Sequence, residues 1–469
     1  MDKLLYADIA ARYPSQACHL LRDTISATLL QKRIKIIVLD DDPTGIQTVH
    51  GCLLLTNWQP ENLAMAFRDK APFFYILTNT RSMTAAESVR ITREVMQAVL
   101  EVNKQAGYHL IVVSRSDSTL RGHFPQEPDT IRQVLEANDV PVMQPTFFIP
   151  AFLEAERYTI GQVHYMKEGN DLIPVGDTEF AKDNVFGYTS SKLSDYIIEK
   201  TKGIVQAEDI GWLSLAMIRN NDPGELAEAI RSMKGNSYIT VDALDYDDLR
   251  TFSVALLNVL TTLYSSAILR TSSSLPKALS GIPESDLLNH ERLDIKPGTG
   301  LFMVGSHVQK STLQLQHLLT SEKVQGVEID INNVLGKPIL LMKEVLETLK
   351  QVNQKGLTPV VYTSRQELRL DDVAKRLEIG RTISDFLVQI VRNLPFVPSY
   401  LVAKGGITSH DILTRGLLLE TAMVTGQLLP GVPVIKTSGN HYYPNMPFII
   451  FPGNVGDKQA LLTAFNILN

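Results

Sequence analysis

Asp40, Asp41 and Asp42 stand side by side and run into Pro43-Thr44-Gly45, directly after an apolar, β-branched run at 34–39. Adjacent carboxylates repel one another, so such a cluster calls for a cation, a hydroxyl donor or a basic side chain. A carboxylate aimed at a substrate hydroxyl is the general base that phosphoryl transfer can use. Asp42 and Asp41 are the candidates here, Asp42 first. An Asp-rich turn capping the next helix is the competing reading of the same residues. Two more polar loops follow apolar runs. Asn79-Thr80-Arg81-Ser82 comes after the run at 73–77, and Ser114-Arg115-Ser116-Asp117-Ser118-Thr119-Leu120-Arg121-Gly122-His123 after the run at 110–113. Arg81, Arg115 and Arg121 are permanent charges whose planar forks suit carboxylate or phosphate. Asp117 adds an acceptor for a sugar hydroxyl or a magnesium-bound water. Arg157, in a fourth segment at 149–159, is placed to join them, and His164 and the 177–180 run are weaker candidates.

The second half carries a different chemistry. Gly305-Ser306 follows an apolar run at 301–304. Gly405-Gly406-Ile407-Thr408 follows one at 399–403, with a helical run at 410–419. Gly453-Asn454-Val455-Gly456 follows a third at 447–451. Glycines between a strand and a helix let bare amides approach a phosphate, and the helix dipole favours its charge. There is no GxxxxGK[ST], and Gly298-Thr299-Gly300 precedes a strand instead of following one. Helix packing and turn geometry explain each loop alone; three in one domain are better evidence for a bound phosphate.

Short apolar runs alternating with amphipathic stretches at 85–102, 129–137 and 308–319 predict an α/β protein. The 469 residues are too many for one ordinary core. The reading is two domains, each a largely parallel sheet flanked by helices, with an interdomain cleft. The N-terminal domain spans 1–293, Pro- and Gly-containing residues 294–300 link, and the C-terminal domain spans 301–469. Residues 193–274 read as helices with one strand. A net charge of −6 gives no general attraction to nucleic acid or acidic lipid. Cys18 and Cys52 support neither a disulfide framework nor a thiolate zinc site. The N-terminus lacks a signal peptide's apolar core, and no apolar run reaches the roughly 20 residues of a membrane span, so the expected location is the cytoplasm.

In this order the motifs resemble those of the four-carbon acid sugar kinase family, over nearly the whole chain. Asp41-Asp42-Pro43-Thr44-Gly45 matches its Asp-Asp-x-Thr-Gly loop, and Asn79-Thr80-Arg81-Ser82 its Asp-x-Arg-Ser segment with Asn first. Asp117–Gly122 matches Asp-Ser-Thr-Leu-Arg-Gly without change, and 150–159 resembles a Pro-Ala-Phe segment ending in Arg-x-Thr. Gly305-Ser306, Gly405-Gly406-Ile407-Thr408, the Pro430–Pro433 turn and the glycine turn at 453–456 complete the set. The family often has Asp where Ile407 stands and Lys-Ser where Phe451-Pro452 stands. The resemblance implies ATP-dependent phosphorylation, with Mg2+, of the terminal hydroxyl of threonate, erythronate or 3-oxo-tetronate. It puts Asp41, Asp42, Arg81, Asp117, Thr119, Arg121 and Arg157 on the acid-sugar side. Ser306, Gly405, Gly406, Thr408, Gly453 and Asn454 fall on the nucleotide side; no metal ligand is assigned. The implied partners are the acid sugar and ATP, and a homodimer is left open. A metal-dependent sugar-acid aldolase or dehydratase, or a ligand-sensing protein on a degraded kinase fold, are the alternative readings.

Overall fold

The computed structural model describes residues 4–14, 20–365 and 373–469. The chain divides into two compact units, Met1–Glu284 and Ser285–Asn469.

The first unit contains, in chain order, β1 (Ile34–Asp40), β2 (Cys52–Leu55), β3 (Phe73–Leu77), β4 (His109–Arg115), β5 (Val142–Ile149), β6 (Arg157–Ile160), β7 (Val163–Glu168), β8 (Asp171–Pro174), β9 (Ile210–Leu213), β10 (Tyr238–Val241) and β11 (Ser266–Thr271). Eight of these form a wholly parallel sheet in the order β2-β3-β1-β4-β11-β5-β10-β9. Every residue of β1, β3 and β11 is buried, as expected of strands covered on both faces. The helix Ala85–Ala106 shows how the sequence builds the covering layer. Thr84 and Glu87 close a reciprocal capping box at its start, and Gly107 ends it in the left-handed region at φ 69°. Between those signals Ser88, Ile91, Thr92, Val95, Met96, Val99 and Leu100 form one buried stripe. β6, β7 and β8 make a separate antiparallel sheet.

Residues 193–274 hold three strands instead of the expected one. β9 and β11 give little sequence signal because each is a short run, four and six residues, between helical patterns. β11 nevertheless lies between β4 and β5, as a central strand.

The second unit contains β12 (Leu301–Val304), β13 (Val324–Ile329), β14 (Thr358–Thr363), β15 (Leu401–Lys404), β16 (Thr421–Leu429), β17 (Val432–Thr437) and β18 (Pro447–Phe451). Their order is β13-β14-β12-β15-β18-β17-β16. The first five are parallel, and the β16–β17 hairpin adds two antiparallel strands. The hairpin turns at Pro430-Gly431, with Gly431 at φ 76°. Leu288 and Leu293 pack into this unit's core with Phe302, Val304 and Phe465. The run expected to be helical at 410–419 is instead a short helix, Gly406–Asp411, followed by a π-helical turn, Ile412–Gly416. The wider turn buries Ile412 and Leu413, and Gly416 packs against Val391.

Candidate active site

β3, β1 and β4 are neighbours in the sheet, and Asp40 at the end of β1 is level with Leu77 and Arg115. The loops that follow them therefore leave the same carboxyl edge, where ligands bind in open α/β sheets. Main-chain bonds tie them together: the amides of Thr78 and Asn79 donate to the Asp40 carbonyl, and that of Arg81 to the Asp41 carbonyl.

The three acids of the first loop have three different environments. Asp40 is fully buried, and its Oδ1 accepts from Arg115 Nη1 at 2.9 Å while Oδ2 has no partner. Burial raises its pKa to about 7, assisted by the neighbouring acids and opposed by Arg115 and Arg81. Gly45 is required beside it, since a Cβ there would lie 2.1 Å from Asp40 Oδ1. Asp41, 2% exposed, accepts from Arg81 Nη2 (2.5 Å) and Nε (3.1 Å), Arg115 Nη1 (3.3 Å) and Ser116 Oγ (2.5 Å). It is consumed by the scaffold. The side chain of Asp42 is 22% exposed. Its Oδ1 accepts from the Thr44 amide (2.8 Å) and hydroxyl (2.5 Å), and its Oδ2 lies 3.8 Å from Arg81 Nη1. Burial would raise its proton affinity, but Arg81, Arg115 and the Thr44 bonds outweigh it and hold the carboxyl below its ordinary value. One oxygen of Asp42 thus holds a turn and the other faces an arginine; no helix lies between β1 and β2, so the loop does not cap one.

Arg81 Nη1 stands between Asp42 and Asp117, 3.8 and 4.0 Å away, without a hydrogen bond at that edge. Asp117 Oδ2 accepts from the Thr119 hydroxyl and from Arg121 Nε at 2.8 Å. Arg81 and Arg121 overcome the effect of burial and hold Asp117 well below the usual carboxylate range. Arg121 also approaches Asp183 at 3.6 Å and lies 4.9 Å over the Phe180 ring. Gly122, at φ 126°, closes this loop against the first; a Cβ would meet Ser116 Oγ at 2.3 Å and Arg270 Nη2 at 2.8 Å. Thus Asp41, Asp42, Arg81, Asp117, Thr119 and Arg121 form one connected charged cluster.

Arg157 differs from them. Its Nη1 donates to the Ala155 carbonyl at 3.3 Å, its buried Nε has no partner, and no carboxylate pairs with it among the described residues. Burial lowers its pKa, with Asp117 acting against burial and Arg121 adding to it. An arginine partly kept from water without a counter-charge favours an anionic ligand.

Several supporting residues escape local motif reading. Glu127 accepts from Thr80 and Ser88 with one oxygen and from Ser114 and Arg270 with the other. It thereby clamps the residues preceding Arg81 and Arg115. Tyr188 and Tyr196 donate their hydroxyls to the Thr119 and Leu120 carbonyls at 2.8 and 2.7 Å. His164 is fully buried and shared between Thr159 Oγ1 (3.0 Å) and the Ser118 carbonyl (2.8 Å), so its Nε2 carries the proton. Burial lowers its pKa to about 4, and it serves as a neutral brace for the Asp117–Gly122 loop.

In the second unit the glycine loops converge on Ser306. A Cβ on Gly405 would lie 3.0 Å from Ser306 Cβ, one on Gly453 3.1 Å from Ser306 Oγ, and one on Gly305 2.2 Å from Thr408 Oγ1. Gly406 and Thr408 are in the first turn of Gly406–Asp411, whose leading amides have no main-chain acceptor. Around Asn454 the carbonyls face inward. Lys404 Nζ donates to those of Pro452 (2.5 Å) and Gly453 (3.3 Å), Lys310 to Asn454 (3.0 Å), and Gln314 to Val455 (3.0 Å) and Asp457 (2.7 Å). The amides of Asn454, Val455 and Gly456 have no acceptor among the described residues. Inward carbonyls and unbonded amides make a cradle for an anion. Lys404 carries no motif signal in the sequence, because it is the last residue of an apolar strand. It is fully buried, 4.2 Å from the Phe451 ring, and burial lowers its pKa to about 7, with Lys310 adding to the effect. It brings an amine to the very turn preceded by Phe451-Pro452. Ile407 is 71% exposed.

A family model described as a sugar-binding N-terminal domain matches residues 36–279, more than half of the chain. A second, described as a nucleotide-binding C-terminal domain, matches residues 301–461. The chain belongs to the four-carbon acid sugar kinase family. The acidic cluster lies in its sugar-binding domain and the glycine loops in its nucleotide-binding domain. A curated relative, D-erythronate kinase of Heliobacterium modesticaldum, is 23% identical over 226 residues, covering 46% of this chain and 47% of that protein. The match thus spans about half of that relative's length. A Haemophilus influenzae protein shares the fold, with a TM-score of 0.65 at 15% identity over 92% of this chain and 100% of that one. So does a Salmonella typhimurium LT2 protein described as a candidate tRNA synthase, with a TM-score of 0.67 at 17% identity over 92% of this chain and 98% of that one. Among the described residues no helix is long and apolar enough to cross a membrane.

Proposed function

We propose that this chain is an ATP-dependent kinase acting on the terminal hydroxyl of a small four-carbon acid sugar such as erythronate, threonate or 3-oxo-tetronate. The observation that carries the reading is the pairing of a partly exposed Asp42 Oδ2 with the unbonded Nη1 edge of Arg81, 3.8 Å away. An acceptor hydroxyl on Asp42 would be oriented beside a cation suited to the oxygens of a moving phosphoryl group. The depressed proton affinity of Asp42 suits this task. Phosphoryl transfer through a loose transition state asks mainly for positioning, with little need for a strong base.

Arg157 is assigned the substrate carboxylate, since its Nε is buried without a partner and no carboxylate pairs with its guanidinium among the described residues. Thr119 and Asp117 fix the Arg121 fork. Asp41 has a holding role, keeping Arg81 and Arg115 in place. In the second unit Ser306, Gly405, Gly406, Thr408, Gly453 and Asn454 are assigned the ATP phosphates, on the strength of the unbonded amides and the close approach of the glycine loops to Ser306. Among the described residues no group of three or more His, Cys, Asp or Glu is arranged to hold a metal. Magnesium would be brought by the ATP phosphates. It would neutralise phosphate charge there.

A coupled ADP-release screen over tetronic and oxo-tetronic acids, erythronate first, tests the reading. Acid-dependent ADP formation is expected. An acid cleaved or dehydrated at the same rate with and without ATP would favour aldolase or dehydratase chemistry instead.

A further inference from the structure

A basic cavity, separate from the acidic cluster, lies in the first unit. It has a volume of about 370 Å³ and is walled by the helix Gln126–Ala137, by β5 and the start of β10, and by residues 200–205. Arg132, Lys200 and Lys202 line it. The charge there is poorly matched. Arg132 donates to the Met143 carbonyl (2.9 Å) and Thr146 Oγ1 (3.2 Å), and its nearest carboxylate, Glu136, is 3.9 Å away. Lys200 Nζ donates to two carbonyls, those of Phe186 (3.3 Å) and Gly187 (2.5 Å). Lys202 is exposed and pairs with no carboxylate among the described residues. Burial lowers the pKa of both Arg132 and Lys200, with nearby acids only partly offsetting it. Asp129 is the acid in the lining. Burial draws it towards its neutral form, against Arg132 and a bond from Tyr238. Partly desolvated cations without matched anions gain most from a ligand that brings its own negative charge.

The cavity is wired to the acidic cluster at two points. The helix that presents Arg132 also presents Glu127, which clamps Thr80 and Ser114 next to Arg81 and Arg115. The segment gripped by Lys200 continues into Tyr188, whose hydroxyl holds the Thr119 carbonyl, and starts at Asp183, 3.6 Å from Arg121. An anion that drew Lys200 from the Phe186 and Gly187 carbonyls would act directly on the segment that positions Thr119 and Arg121.

We propose that this cavity is a regulatory site for a small phosphate-bearing dianion, held by Arg132, Lys200 and Lys202. The shared chemistry is a phosphoryl group, supplied either as free phosphate or as a phosphate monoester. The test is calorimetric titration of the full chain with inorganic phosphate and, in a second arm, glycerol phosphate. Wild type is compared with R132Q, K202Q and R121Q. Lys202 is exposed, so K202Q reports on the site even if R132Q fails to fold. Saturable binding is expected in wild type and R121Q, weakened about tenfold in R132Q and K202Q by loss of one charge-assisted contact. Ester binding as tight as phosphate identifies a metabolite as occupant, and phosphate binding alone identifies the free ion. Absence of saturable binding, or binding lost in R121Q but unchanged in K202Q, overturns the proposal. The readout is binding without turnover, so it stands or falls independently of the kinase reading.

Discussion

Asp41 and Asp42 are adjacent and chemically identical, yet their surroundings predict opposite consequences for the same substitution. Asp41 is 2% exposed and accepts from Arg81 twice, from Arg115 and from Ser116. Asp41→Asn keeps the shape but removes the charge that balances two arginines. Breaking a buried ion pair from one side costs about 3–5 kcal/mol. The amide still offers one acceptor, and Arg115 keeps Asp40, so the lower end, about 3 kcal/mol, is expected. Asp42 is 22% exposed, and its two strong bonds, both from Thr44, end on a single oxygen that an asparagine can reproduce. Asp42→Asn should therefore cost below about 1 kcal/mol in stability. Its Oδ2 becomes an amide nitrogen, however, that can neither accept a hydrogen bond from the hydroxyl nor take its proton, and kcat should fall by about 10²- to 10⁴-fold with the KM for ATP nearly unchanged. Urea denaturation measures the first effect and coupled ADP release the second. The reasoning fails if D41N unfolds at the wild-type midpoint, or if D42N turns over within a few-fold of wild type.

Arg157→Leu should raise the KM for the acid by about tenfold or more while leaving the KM for ATP in place, because one charge-assisted contact to the carboxylate is lost. Lys404→Met removes the donors to the Pro452 and Gly453 carbonyls and should raise the KM for ATP selectively, again by about tenfold. A pH effect on stability follows from Asp40. Its folded pKa of about 7 lies above the value of about 3.9 for an unfolded chain, so the folded state retains a proton that the unfolded state releases. Stability should therefore fall as pH rises from about 4 to about 7, and Asp40→Asn should remove that slope in denaturant midpoints measured across the range.

The Asp40–Gly45, Asn79–Ser82 and Ser114–Gly122 segments are legible as a cluster because each comes soon after a strongly apolar run, and the three strands are neighbours. What holds them was not legible. Arg270 reaches Ser114 across 156 residues of sequence, from β11, a strand hidden among helical patterns. Glu127 reads as an ordinary first-turn acid of a helix until its four partners are seen. The different roles of Asp41 and Asp42 depend on which side chain turns inward, and three consecutive aspartates give no periodicity to reveal it. In the second unit the glycine turns were visible, but the lysine beneath them was not. Lys404 ends an apolar strand, and only the inward carbonyls of the next loop explain its burial.

The most direct test of the kinase reading is to identify the product formed from Mg-ATP and erythronate. Phosphorus NMR of the reaction should show a new phosphomonoester coupled to the terminal methylene, appearing with ADP and absent with D42N. ADP accompanied only by inorganic phosphate, or no new phosphorus resonance with any tetronic or oxo-tetronic acid, would contradict it.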